Sequence, residues 1–235
     1  MIRKSRGFTL IEIAIVLVII GLLLGGVLKG QELIRSARVR NLISQKDGVT
    51  AAFFGFQDRY RALPGDYASA LTNMTCPTGN CSNGNGDGQI QANATPVGGS
   101  VVHEELLVWT HLGAAGFLNG SYNMQPTDTA PLETNSPKNA FGTYLQLAAD
   151  QLYGNGASPA RHNLKTGNQI PVEILAEVDR KVDDGQPYSG VFQFSTYQSV
   201  GSAPVATGST TSCLTGATIW QVTGGSPNCG AATLY

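Results

Sequence analysis

From Phe8 to Leu28 almost every position is hydrocarbon. From Lys29 onward polar residues intervene at helical spacing, and beyond Gly65 the apolar runs shorten and are separated by turn residues. A helix over residues 8–28 would be about 31 Å long at ~1.5 Å per residue, which matches the ~30 Å apolar core of a bilayer and predicts a transmembrane segment. Leu42, Val49, Phe53, Phe56 and Tyr60 then fall at three- and four-residue steps, so the helix is expected to continue over Lys29 to Tyr60 with one apolar face. Gly48 and Gly55 weaken that stretch by roughly 1 kcal/mol each, so packing against a domain must hold it. Pro64-Gly65 ends it, which gives a span over 8–28, its continuation over 29–63 and a globular region over 64–235.

The globular region reads as short mixed elements. Residues 66–99 are dense in Asn, Gly, Thr and Pro and read as loop. His103 to Phe117 reads as a helix with Glu104 and Glu105 in its first turn. Ala140 to Leu152 fits strand or helix equally. Pro171 to Val182 repeats Ile174, Leu175, Val178 and Val182 at helical spacing, with Gly185 placed to cap it. Gly190 to Gln198 and Ala217 to Thr223 read as strands. The fold class expected is α+β.

Charge is sparse: 15 Lys+Arg against 16 Asp+Glu leave a net −1, so no basic field exists to hold nucleic acid along the domain. Roughly 200 residues follow the span, enough for one soluble domain with its own core. No catalytic constellation stands out. His103-Glu104-Glu105-Leu106-Leu107 starts like a zinc-protease helix but has Leu107 where the second histidine belongs, and His111 and His162 are isolated. Neither a nucleophile elbow nor a phosphate-cradling loop is present, so no enzyme is expected.

Against this background the oddity is Glu12, a carboxylate near the start of the apolar span, which lipid tolerates only where a partner satisfies it. Cleavage after Gly7 would supply that partner as the new α-amine of Phe8, from the same chain or from a neighbour. The basic leader Met1-Ile2-Arg3-Lys4-Ser5-Arg6, then Gly7, Phe8, Thr9-Leu10-Ile11 and Glu12 as fifth mature residue, resembles the signature of type IV pilins and type II secretion pseudopilins. The resemblance implies that residues 1–7 are a leader removed by a membrane prepilin peptidase and that Phe8 is N-methylated. It also implies a globular domain carrying an antiparallel β-sheet, and subunits that polymerise with the N-terminal helix at the filament centre. A secretory signal peptide has a shorter apolar stretch and a small-x-small site, and a plain anchor gives no reason for Glu12. Basic residues from Lys29 to Lys46 outnumber those before the span, so charge counting alone would reverse the topology; the motif is preferred. Gly21, Gly25 and Gly26 suit close helix approach or local unwinding in such a filament.

The four cysteines form two close pairs, Cys76 with Cys81 and Cys213 with Cys229, and an exported domain would oxidise them. Three connectivities are open; local pairing is expected because each pair closes a turn-rich loop. Cys213 and Cys229 also resemble the disulfide-bounded C-terminal loop of many type IV pilins. In Asn83-Gly84-Asn85-Gly86-Asp87-Gly88 the oxygen side chains Asn83, Asn85 and Asp87 alternate with glycine, as in the first half of a calcium loop, but Ala94 stands where the closing Glu belongs. Calcium is the one cofactor this pattern would take, supplied with a further carboxylate only if the fold brings Glu104 or Glu105 over; an ordinary Asn-Gly turn is preferred. Asp179, Asp183 and Asp184 likewise read as a solvated helix terminus or a hard-cation site, with the terminus preferred.

The expectation is therefore a type IV pilus or pilus-like subunit. It would be inserted in the inner membrane as a precursor with its domain in the periplasm, and its partners would be prepilin peptidase, related subunits and the assembly machinery. The alternatives are a type II secretion pseudopilin and an anchored periplasmic binding module that never polymerises.

Overall fold

The computed structural model describes residues 9–76, 81–157, 159–208, 212–216 and 218–235. The chain divides into two compact units, Met1–Arg38 and Val39–Tyr235. Helix α1, Leu10–Tyr60, contributes to both. In the first unit every residue from Leu10 to Leu28 is exposed, and the helix is long and apolar enough to cross a membrane. Hydrocarbon on all sides of a helix needs lipid or other helices to cover it, so this segment is an apolar anchor.

In the second unit the later part of α1 lays Val39, Leu42, Val49, Ala52, Phe53 and Phe56 into the core, the three- and four-residue rhythm visible in the sequence. The remaining elements are α2 (Ala70–Asn73), β1 (Ala94–Val97), β2 (Ser100–His103), α3 (Glu104–Ala114), β3 (Gln146–Asp150), β4 (Arg161–Lys165), α4 (Val172–Val182), β5 (Phe192–Phe194), β6 (Leu214–Thr215), β7 (Ile219–Trp220) and β8 (Ala231–Leu234). β3, β4, β8 and β5 form, in that order, one antiparallel four-stranded sheet, while β1–β2 and β6–β7 are separate hairpins. A long N-terminal helix followed by a domain with antiparallel sheets is an α+β architecture, as expected.

Two large apolar clusters hold the later part of α1 to the domain, and a third, smaller one gathers Val102, Leu106, Leu107 and Met124. Val49, Phe53 and Phe56 of α1 meet Val108, Trp109 and Leu112 of α3 together with Leu147 and Leu164 of the sheet. Val39 and Leu42 meet Leu175 and Val178 of α4, Phe192 and Phe194 of β5, and Trp220. Each fully buried large side chain contributes on the order of 2 kcal/mol, which offsets the weak helix propensity around Gly48 and Gly55.

Several elements differ from the sequence reading. The ambiguous stretch over 140–152 is strand at Gln146–Asp150, because its edge pairs with β4. The expected loop over 66–99 contains the short helix α2 and the strand β1. The strand expected over 217–223 is only the two-residue β7, paired with β6; Ala217 lies outside the described residues. β4 and β8, the middle strands of the main sheet, carry no alternating pattern, since residues 163–165 and 231–233 are buried whichever way they point.

Candidate functional site

At the anchor end, Gly7 and Phe8 lie outside the described residues. The first described side chains form a closed local unit. Glu12 Oε2 accepts from the backbone N–H of Thr9 at 2.7 Å and from its hydroxyl at 2.8 Å, while Thr9 Oγ1 accepts from the Glu12 N–H at 3.3 Å. This reciprocal pair is a capping box: Thr9 precedes the first helical residue, Leu10, and Glu12 occupies the third helical position. Glu12 thus has a partner within its own chain, and its carboxylate also sits at the positive end of α1. The Thr-x-x-Glu spacing is the sequence signal for it.

In the domain, the loop over 83–91 wraps two buried carboxylates. Asp66, from the turn after α1, accepts from the backbone N–H groups of Gly86 at 2.6 Å and Asp87 at 3.1 Å on Oδ1, and of Gly88 at 2.9 Å on Oδ2. Glu104, the first residue of α3, accepts from the N–H of Asn85 at 2.9 Å and of Gln91 at 3.1 Å. The approach is so close that a Cβ on Gly84 would lie 2.3 Å from the backbone of Gly65 and Asp66, and a Cβ on Gly65 (φ +89°) would lie 2.6 Å from the Glu104 carbonyl oxygen. Burial, with Asp66 and Asp87 adding like charge, pushes the Glu104 carboxyl up to about 7; burial also raises Asp66.

His111 of α3 is fully buried against the same segment. Its Nδ1 accepts from the Gly65 N–H at 2.9 Å and its Nε2 lies 3.1 Å from the Ser82 carbonyl, which fixes the Nε2–H tautomer. Burial lowers its pKa to about 4, so it is neutral at physiological pH. A cleft of about 500 Å³ opens beside the loop, bordered by Arg61, Asp66, Tyr67 and His162.

The three residues read as calcium ligands are not gathered around one point. Asn83 Oδ1 is drawn to the Leu71 N–H at 2.9 Å. Asn85 and Asp87 do meet, but their Oδ1 atoms accept from the N–H groups of Asp87 and Gln89. A calcium cage turns oxygens inward; this loop turns N–H groups inward onto Asp66 and Glu104, so the residues do not fit the ion. Glu104 is brought over by the next helix, but as an acceptor for the loop backbone.

The acidic group at the end of α4 is also different from the solvated terminus expected. Carboxylate oxygens of Asp179, Asp183 and Asp184 lie within 4.8 Å of one another, yet Asp179 is fully buried and accepts from Trp220 Nε1–H at 2.7 Å. Asp183 accepts from the N–H groups of Val191 and Phe192, and Asp184 from Gln186 N–H and the Ser189 hydroxyl. Burial raises Asp179 to about 6. These acids tie α4 to the segments after it. Cys76 is bonded to Cys81 and Cys213 to Cys229, with Cα separations of 5.6 and 5.8 Å.

No curated protein and no solved structure matches the chain. The family model of the prokaryotic N-terminal methylation motif matches residues 2–28. The chain therefore carries, over its exposed apolar anchor and the residues before it, a prokaryotic N-terminal methylation motif, the signature that type IV pilins and pseudopilins also bear.

Proposed function

We propose that the protein is a subunit of a type IV pilus or pilus-like filament. In this reading it is inserted in the inner membrane with its domain in the periplasm, cut after Gly7 by prepilin peptidase, methylated on Phe8 and polymerised through α1. The observation that carries the reading is the methylation motif over residues 2–28 ending in a helix whose side chains from Leu10 to Leu28 have no cover of their own. In a filament, neighbouring helices would replace lipid around these side chains, and the Phe8 amine of an adjacent subunit would compete with Thr9 for Glu12. Exchange of a local cap for an intersubunit ion pair makes Glu12 a register device, silent in the monomer and engaged on assembly.

The Cys213–Cys229 bridge near the C-terminus favours a pilus over a secretion pseudopilin. The test is the deletion strain. The pilus reading expects loss of surface filaments from the sheared fraction with exported proteins still released; retained exoproteins with no surface filament in the wild type would assign the subunit to secretion instead. Native protein that still begins at Met1 would contradict both readings.

A further inference from the structure

A buried polar cluster joins β3 and β4 of the main sheet. Lys165, at the end of β4, is completely buried, and its Nζ lies 2.7 Å from Oδ2 of Asp150, at the end of β3, whose side chain is only 15% exposed. The two atoms are thus in close ion-pair contact, and no other hydrogen-bond partner reaches either of them. The other carboxylate oxygen is held quite differently. Asp150 Oδ1 accepts from the backbone N–H of Leu152 at 3.0 Å and from Asn163 Nδ2 at 3.1 Å.

An amine pressed against a carboxyl whose far oxygen faces two fixed N–H donors is the arrangement that acyl transfer requires, with the donors placed where negative charge would develop. On the third side stands Glu105 of α3, buried, with Oε1 3.0 Å from His103 Nδ1 and Oε2 without any partner; it acts electrostatically on Lys165. The ring of Tyr197 closes the cluster, its centroid 5.6 Å from Nζ.

We propose that Lys165 and Asp150 react with each other to form an amide between Nζ and Cγ, cross-linking β4 to the end of β3, with Glu105 relaying the proton. The ammonium gives up one proton through Glu105, and the freed electron pair attacks Cγ. Charge collects on Oδ1 under the N–H groups of Leu152 and Asn163. The Cγ–Oδ2 bond then breaks, and Oδ2 departs as water carrying both protons lost by nitrogen, one of them returned by Glu105. Ammonium and carboxylate become amide and water, with no oxidant, metal or cofactor consumed. Burial lowers the Lys165 pKa, which favours the free amine, and raises that of Glu105, which favours its taking up the proton. The product replaces a buried charge pair, costly to desolvate, by a neutral bond that ties two strands of a domain that would bear load.

The reaction is read by mass. In the full-length protein extracted in detergent, reduced and alkylated, the proposal expects a mass lower than the sequence requires by one water. Trypsin cuts after Lys138, Arg161 and Arg180, so residues 139–161 should appear joined to residues 162–180 as one branched peptide. Separate peptides 139–161, 162–165 and 166–180 at full mass would overturn the cross-link, as would a water lost from 139–161 alone, the mark of a succinimide. Lys165→Arg and Asp150→Ala should abolish the branched species. Glu105→Gln should leave most chains unjoined while the domain stays soluble; joining as complete as in the wild type would remove Glu105 from the reaction.

Discussion

Replacing Glu104 by glutamine should flatten the pH dependence of domain stability. In the folded chain burial raises this carboxyl from 4.5 to about 7, so its folded value lies above the unfolded one. The neutral acid's contribution is then fully present below pH 4.5 and is lost as pH rises through about 7. The difference of roughly 2.5 units, at about 1.4 kcal/mol per unit, makes ionisation cost the wild type about 3 kcal/mol by pH 8. Glutamine stays neutral throughout but offers one oxygen where Glu104 offers two, so either Asn85 N–H or Gln91 N–H loses its acceptor, a pH-independent cost of about 1–3 kcal/mol. E104Q should therefore be clearly weaker than wild type at pH 4.5, and the gap should close by about 3 kcal/mol at pH 8. His111 has the opposite sign: its pKa is lowered from 6.5 to about 4, so its contribution is present above pH 6.5 and lost as pH falls towards 4; being common to both proteins, it cancels in the comparison. Urea unfolding of the detergent-solubilised chain, followed through the fluorescence of the buried Trp109, measures the difference. Parallel pH curves for the two proteins would refute the claim that the loop holds Glu104 as a buried acid.

The remaining outcomes concern the bridge and the processing site. Cys213→Ser with Cys229→Ser opens a loop closed over a sequence separation of 16, and should cost about 3 kcal/mol, read as a lower urea midpoint under oxidising conditions that vanishes when both proteins are reduced. Gly7→Leu should leave the precursor uncut, with the leader still present in the intact mass; normal processing of that variant would count against the cleavage site.

What the sequence made legible follows the physics of each element. α4 and the later part of α1 each bury one face of a helix, and the spacing of Phe53 and Phe56 and of Leu175 and Val178 announces it, whereas α3 is buried on every side from Glu104 to Leu112. β4 and β8 were hidden because the centre of the sheet is covered on both sides. β4 reads Arg-His-Asn-Leu-Lys, a polar string whose Asn163 donates to Asp150 of β3 and whose Lys165 lies in ion-pair contact with it, and β8 reads Ala-Ala-Thr-Leu. Glu104 and Asp66 were hidden for a related reason. A first-turn glutamate normally faces water, and nothing local says that a glycine-rich loop some twenty residues away will direct its N–H groups at it. The alternation of Asn83, Asn85 and Asp87 with glycine reported a tight curl correctly, but the same curl serves an inward carboxylate as well as an inward cation. The capping box of Thr9 and Glu12 was fully local and could be read from its spacing alone.

The central claim is that Glu12 serves assembly rather than anchoring. Glu12→Ala removes the acid and leaves the hydrocarbon of residues 13–28 unchanged, so carbonate-washed membranes should retain the variant at wild-type levels and prepilin peptidase should still shorten it. Filaments recovered by shearing and counted by electron microscopy should fall to a small fraction of wild type. Filament yield equal to wild type from a variant that is processed and inserted normally would contradict the account.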